Sequence, residues 1–274
     1  MKTFAIANGK GGVGKSTSAT TIAHLLAAEH GQRVLLADID PQSNTTSLFA
    51  PNKPDVLQII RDVFLSGDFT TLQPFEHNIG ELLVNPKADI HQCIYHTDYP
   101  GLDLLPADLS LSEIEEKMKA DIRVPQQFRL QEHFNAIQDD YDYCILDFSP
   151  SINIININGL VCSDYVLVPL RCDMWGIAGF CLIKNLIETV SRYHPSLKLG
   201  GCFFTQFNVQ TSISKQVRDL MASVMGEQYI DIPIRKSVKA EEMTYERRAL
   251  SDYASKEKIT EDYRAFVDYI IAHF

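Results

Sequence analysis

Residues 8–17 read Asn8-Gly9-Lys10-Gly11-Gly12-Val13-Gly14-Lys15-Ser16-Thr17, and no other segment constrains the fold as tightly. An apolar run, Phe4-Ala5-Ile6-Ala7, precedes it, and a helical pattern from Ser18 to His30 follows. A glycine-rich turn between a strand and a helix aims backbone N–H groups at an anion bound at the helix N-terminus. Gly9 to Ser16 fits G-x-x-x-x-G-K-[ST], where Lys15 would contact the β- and γ-phosphates and the Ser16 hydroxyl would hold Mg²⁺. One lysine is enough for such a loop to bind its own nucleotide. Lys10 is therefore a second cation in search of a target.

The same residues also satisfy a dinucleotide fingerprint, Gly9-x-Gly11-x-x-Gly14, with Asp38 ending the next expected strand where a ribose-binding acid could sit. That pattern would serve a reductase. Two features oppose it. The Lys15-Ser16 pair suits a triphosphate and Mg²⁺, and Tyr143-Cys144-Ile145-Leu146-Asp147 is an apolar strand ending in the second carboxylate a triphosphate site requires.

The chain has 274 residues, 45% hydrophobic and 22% charged, the balance of an ordinary globular protein. No Pro/Gly/Ser-rich linker, low-complexity segment or internal repeat divides it, so a single domain over residues 1–274 is expected. No apolar run approaches the ~20 residues of a membrane-spanning helix. The apolar N-terminal residues read as the first strand rather than a signal peptide. The six cysteines (Cys93, Cys144, Cys162, Cys172, Cys181, Cys202) lack C-x-x-C spacing and suit reduced core thiols of a cytoplasmic protein better than a disulfide frame, a zinc site or a bridging iron–sulfur cluster. A net charge of −10 argues against a surface that is basic throughout and leaves nucleic acid to a local patch.

Strands and helices alternate along the chain, which predicts an α/β fold with a doubly wound, mostly parallel twisted sheet and helices on both faces. Strands are expected at Thr3–Ala7, Arg33–Ala37, Leu102–Leu105, Tyr143–Leu146, Tyr165–Pro169, Leu199–Thr205 and Tyr229–Ile232. Helices are expected at Ser16–His30, Val56–Leu65, Leu109–Ala120, Phe128–Ile137, Gly179–Tyr193, Ile213–Met225 and Thr260–Phe274, with an irregular insertion over about residues 66–100. Ligands in such sheets bind beyond the carboxyl ends of the strands, where each polar motif lies.

Asp38 and Asp40 follow the second strand as alternate residues and so point in different directions. Asp40 is placed to orient a water for in-line attack and to approach Mg²⁺, although Asp40-Pro41 also fits a plain turn. Asp147 would hold a Mg²⁺-bound water. Asn208 and Pro233, each after a strand, are candidates to frame an adenine. Lys215, Arg218, Arg235, Lys236 and Lys239 could form one edge against DNA phosphates, a contact blind to sequence and steeply salt-dependent; interleaved acids allow a merely solvated surface instead. The tail carries Tyr263, Phe266, Val267, Ile270, Ile271 and Phe274 at helical spacing. Glu261, Asp262 and Asp268 dominate its polar face, which favours core packing over a membrane surface.

Lys10-Gly11-Gly12-Val13-Gly14-Lys15-Ser16-Thr17 resembles the deviant Walker A signature of the ParA/MinD ATPases. Leu36-Ala37-Asp38-Ile39-Asp40-Pro41-Gln42 is similar to that family's second nucleotide motif, and Tyr141 to Ser151 to its Walker B region. Leu102-Asp103-Leu104-Leu105-Pro106-Ala107 and Ile232-Pro233 also fall in family order, and the match is closest to the short ParA/Soj branch. The resemblance implies a P-loop ATPase of deviant Walker A type that partitions plasmids or chromosomes. It implies ATP and Mg²⁺ as ligands, with Gly11, Gly12, Val13, Gly14, Lys15, Ser16 and Thr17 around the phosphates. It gives Lys10 a role across an ATP-sandwich homodimer, Asp40 a role in placing water, and Asp147 the role of Walker B acid. It further implies non-specific DNA and a ParB-like centromere-binding protein as partners, and a cytoplasmic, nucleoid-associated location. A MinD-like positioning ATPase on a membrane or protein scaffold is the alternative. Phe148-Ser149 after the Walker B acid, Arg171, the length of 66–95 and a weak terminal basic region depart from the usual pattern.

Overall fold

The computed structural model describes residues 1–50, 61–67, 75–122 and 125–274. Seven strands form one sheet in the order β3-β4-β2-β5-β1-β6-β7. They are β1 (Lys2–Ile6), β2 (Val34–Asp38), β3 (Tyr95–His96), β4 (Leu102–Leu105), β5 (Tyr143–Asp147), β6 (Tyr165–Arg171) and β7 (Lys198–Thr205). All pairings are parallel except the edge pair β3–β4. Phe4, Ala5 and Ile6 are wholly buried, as are Leu35, Leu36 and Ala37, because helices cover both faces of the sheet. Strands buried on both faces read as unbroken apolar runs rather than alternating ones, and this made them visible in sequence.

Among the described residues the helices are α1 (Lys15–Ala28), α2 (Asn44–Phe49), α3 (Ile79–Val84), α4 (Leu111–Ala120), α5 (Gln131–Ala136) and α6 (Ile154–Val161). They continue with α7 (Met174–Val190), α8 (Ser212–Met225), α9 (Lys239–Glu246), α10 (Leu250–Tyr253) and α11 (Lys258–His273). The first half of the helix expected over 56–65 lies outside the described residues, and the second half forms a π-helical turn at Arg61–Ser66. Within the stretch expected to be irregular, α3 and a 3₁₀ turn at Ile90–Cys93 bury Ile79, Leu82, Leu83, Ile90 and Cys93 in the core.

Three expectations change. Tyr229–Ile232 is not a strand: Ile230 N–H donates to Cys202 O (2.8 Å) and Ile234 N–H to Phe204 O (2.7 Å), so the chain only touches β7 at intervals. Between these contacts Ile232 N–H turns back to Ile230 O (2.8 Å), and Pro233 has no N–H to extend a ladder. The helix expected at Phe128–Ile137 is split into a 3₁₀ turn at Gln126–Phe128 and α5. Residues 154–161, rich in isoleucine and asparagine, gave no helical signal yet form α6, capped by Asn153 accepting from Asn156 N–H (2.8 Å).

The α11 helix buries Tyr263, Phe266, Val267 and Ile270 against α1 and the sheet. Full burial of each such aliphatic or aromatic side chain is worth about 1.5–3 kcal/mol. Tyr263 and Ser18 share a hydrogen bond (2.9 Å), and Arg264 forks onto Glu29 (2.8 Å). The tail's apolar stripe is thus spent inside the protein, directly behind the helix that starts at the phosphate loop.

Candidate nucleotide site

The loop after β1 is tied by side-chain hydrogen bonds to the carboxyl ends of β6 and β7. Asn8 Nδ2 donates to Pro169 O at the end of β6 (2.8 Å), and its Oδ1 accepts from Lys10 N–H (2.9 Å). Thr205 Oγ1, ending β7, donates to Val13 O (2.7 Å), and Gln206 Nε2 donates to Gly12 O (2.8 Å). Gly12 (φ 71°) and Gly14 (φ 80°) take left-handed conformations that a Cβ would strain, and Gly14 caps α1. From another side α7 comes so close that a Cβ on Gly179 would collide with Asn8 Oδ1. Val13 is buried and anchors the loop from below.

Above this loop opens a cleft of about 390 Å³ lined by Gly11, Gly12, Gly14, Lys15, Ser16, Thr17, Asp40, Gln42, Asn44, Pro150 and Gln206. Lys15, Ser16, Thr17 and Asp40 therefore line one cleft. Lys15 Nζ donates to Lys10 O (3.1 Å). Burial lowers the Lys15 pKa, and Asp147 and Asp40 partly offset the shift. Asp40 Oδ1 accepts from Gln42 N–H (2.9 Å), so the plain turn is present, and the same carboxylate borders the cleft.

Beneath the cleft, Asp38 and Asp147 are cross-strand neighbours, both wholly buried. Asp38 is committed to the scaffold: Oδ2 accepts from Thr46 N–H (2.8 Å) and Oγ1 (2.9 Å), and Oδ1 from Asp40 N–H (3.0 Å). Burial, reinforced by the neighbouring Asp147 charge, pushes its pKa up to about 8. Asp147 Oδ2 accepts from Thr45 Oγ1 (2.8 Å). Burial raises the Asp147 pKa to about 6, against the pull of the Ser16 and Thr45 hydroxyls and Lys15. Its Oδ1 is buried with no hydrogen-bond partner. A buried orphan carboxylate oxygen is costly unless something polar completes it. An ion or its water beside Ser16 would do so, and the donor set fits a Mg²⁺ shared with phosphate oxygens. No cluster of three His, Cys, Asp or Glu metal ligands exists among the described residues.

A second cavity of about 140 Å³ continues from the cleft past Gly14, Thr17, Thr205 and Gln206 to residues 234–237, Ala240, Glu241, Ile259 and Tyr263. Asn208 does not line it; its Oδ1 accepts from Gln210 N–H (3.0 Å) in a turn. Pro233 also falls outside its lining, one residue before Ile234. Gln206, which borders both cavities and has a left-handed backbone (φ 50°), escaped the sequence reading, as did Asn8, Thr45 and Thr46. The signal available for the two threonines was a run of small hydroxyl and amide residues, Ser43 to Thr46, directly after Asp40-Pro41.

Lys10 does not border the cleft. Its Nζ meets Asp173 Oδ1 (3.3 Å), and Arg171 Nε meets Asp173 Oδ2 (3.3 Å). On the basic edge, Arg218 forks onto Asp231 (2.6 and 2.9 Å), Arg235 onto Asp262 (2.6 Å) and Lys239 pairs with Glu242 (2.7 Å). Lys215 and Lys236 are exposed and form no ion pair among the described residues. The structure thus places the five expected DNA-contacting cations at the surface but neutralises three of them. Among the described residues no helix is long and apolar enough to cross a membrane.

A seven-stranded, mostly parallel sheet with this loop, cleft and buried acid pair defines a P-loop nucleotide-binding protein. A family profile described as an AAA domain (AAA_31) matches residues 1–199. The chromosome partitioning protein ParA of Caulobacter vibrioides is 30% identical over 245 residues, 88% of this chain and 83% of that protein. The sporulation initiation inhibitor protein Soj of Bacillus subtilis is 30% identical over 242 residues, 88% of this chain and 87% of that protein. The crystal structure of cobyrinic acid a,c-diamide synthase from Mycobacterium smegmatis with bound ATP analog and magnesium superposes with a TM-score of 0.79 at 26% identity. It covers 100% of this chain and 95% of that one. The chain belongs to the ParA/Soj family of partition ATPases, within the ParA/MinD group of deviant Walker A P-loop proteins.

Proposed function

We propose that this protein is an ATP-dependent switch for partitioning a plasmid or chromosome, working as a Mg-ATP sandwich dimer on DNA. The observation that carries the reading is the pairing of a two-lysine phosphate loop with Asp40 at the cleft wall and the unpartnered Asp147 Oδ1 beneath it. Lys15 places a partly desolvated ammonium where phosphate charge would lie, and desolvation strengthens that attraction. The Ser16 hydroxyl and Asp147 Oδ1 face the place where Mg²⁺ and its water would sit; when bound, that ion neutralises phosphate oxygens. Asp40 orients a water for in-line attack, a contribution of position more than of proton transfer. The cavity bordered by residues 234–237 accepts the base. Lys10 reaches the phosphates of a second copy and makes the dimer answer to ATP.

Non-specific DNA binding would draw on Lys215 and Lys236 first, with Arg218, Arg235 and Lys239 contributing once freed from their acids. A ParB-like centromere-binding protein would stimulate hydrolysis, in a cytoplasm where the dimer sits on the nucleoid. The test is direct. ATP, and not ADP, shifts the protein from monomer to dimer on a sizing column, and the dimer retains DNA at low salt and releases it steeply as salt rises. A mass that ignores nucleotide removes the switch. A nucleotide-dependent dimer that never binds DNA keeps the switch and removes its cargo.

A further inference from the structure

The second lysine of the phosphate loop is not free in the isolated chain. Its backbone N–H is fixed by Asn8 Oδ1 (2.9 Å), and its stem lies over Gly179 of α7, where an added Cβ would stand 3.3 Å from Lys10 Cβ. Its Nζ is turned toward the end of β6 and pairs with Asp173 (3.3 Å). Both partners are only about 30% exposed, 29% for Lys10 and 31% for Asp173. Asp173 is itself oriented, its N–H bonded to Arg171 O (2.8 Å), and its other oxygen is shared with the Arg171 guanidinium (3.3 Å). A lysine so paired has its ammonium drawn toward the end of β6, so phosphates on a second copy must compete with Asp173 for it.

We propose that Asp173 is a positioning residue for Lys10, a latch within the chain that competes with the lysine's role across the dimer, and that Arg171 sets the latch's strength by competing for the same carboxylate. This rests on the reading of Lys10 given under Proposed function and adds a brake to it. Dimerisation must break the Lys10–Asp173 pair before phosphates of the second copy can replace it. Arg171 keeps Asp173 neutralised once Lys10 leaves, so the released carboxylate is never left bare. The departure noted at Arg171 acquires a purpose: with a neutral residue there, the latch would hold harder.

The test uses the full chain with Mg²⁺ and a non-hydrolysable ATP analogue, with the dimer dissociation constant read by sedimentation equilibrium. A partly exposed ion pair makes a modest contribution, so Asp173→Asn should tighten the dimer about three- to fivefold and Arg171→Gln should loosen it about two- to threefold. Both shifts should vanish when Lys10 is alanine. Opposite signs from two neighbouring substitutions are not what damage to the fold would produce. A dimer unchanged or weakened by Asp173→Asn, or a shift that survives in the Lys10→Ala background, overturns the latch. A second readout needs no dimer: acylation of the Lys10 amine by acetic anhydride in the nucleotide-free protein, mapped by mass spectrometry. Asp173→Asn should raise Lys10 labelling about threefold and Arg171→Gln should lower it. Equal labelling in all three proteins overturns the latch. If the wild type never dimerises with the analogue, the dimer reading falls and the latch falls with it, whereas a nucleotide-dependent dimer whose strength ignores both substitutions overturns the latch alone.

Discussion

The phosphate cleft and the basic edge both gather charged side chains, and the fold treats them in opposite ways. At the cleft, charge is stored unbalanced: Asp38 and Asp147 lie side by side in a wholly buried pair of strands, and Asp147 Oδ1 has no partner. On the edge, charge is cancelled locally, with Arg218, Arg235 and Lys239 each closed onto a carboxylate at 2.6–2.7 Å. Buried unbalanced charge costs stability and persists where a ligand completes it. Surface pairs cost little and contribute little. The first region is built around something absent from the chain, whereas the second is already satisfied by it.

The sharpest way to probe this contrast is Lys15→Ala, which deletes a buried cation facing two carboxylates. Loss of a charge-assisted contact of about 3 kcal/mol predicts a fall in ATP affinity of roughly 100-fold, measured by fluorescent-nucleotide titration. A fall under about threefold would mean the cleft is not the nucleotide site.

Next comes the acid pair. Asp38 has a native pKa raised to about 8 and Asp147 one raised to about 6, each above the ordinary carboxylate value of 3.8. A carboxyl with a raised native pKa binds its proton more tightly folded than unfolded. Its contribution to stability is complete below the unfolded value and is lost as pH climbs through the native one. The nucleotide-free protein should therefore lose stability between about pH 4 and pH 8, read by urea midpoints at constant ionic strength, and Asp38→Asn should flatten that slope. A slope unchanged by the substitution would show that the pair is not the source.

The smallest effects belong to the edge. Substituting Lys236 or Lys215 by Gln should weaken DNA binding about two- to threefold and reduce the salt dependence by roughly one counterion. The same change at Arg235 should do less to DNA and more to melting temperature, because its guanidinium bridges to Asp262 on α11. A larger DNA defect at Arg235 than at Lys236 would break the contrast and show that the ion pair opens on binding.

The two regions also differ in how far sequence betrays them. The phosphate loop is contiguous, and its chemistry is written in backbone: spacing alone places Lys15 and Ser16 at a helix N-terminus, and apolar runs deliver Asp40 and Asp147 to adjacent strand ends. Asp38 reads as a ligand candidate, yet its oxygens are spent on Thr46 and on the Asp40 N–H, partners set by how the following loop folds back. The Lys239–Glu242 pair is local, whereas two of the edge cations look available in sequence because their acids come from elsewhere, Asp231 lying 13 residues from Arg218 and Asp262 27 from Arg235. Pairings of that kind depend on tertiary packing and leave no local pattern. The same holds for α6, where burial overrides weak helix propensity, and for residues 229–232, where β propensity is real but a tight turn and Pro233 prevent a ladder.

Phe148, the unusual residue after the buried acid, lies wholly inside the core, and a Cβ on Gly159 of α6 would stand 2.8 Å from its ring. Shrinking the ring alone leaves a hole costing about 3–5 kcal/mol, and adding a methyl at 159 alone forces a clash. Neither site can drift by itself. Ile39 Cδ1 would stand nearer still to that Cβ, at 2.7 Å, so α6, the segment after β5 and the loop after β2 close on one point, and replacing any one of the three by a bulkier version would displace the other two.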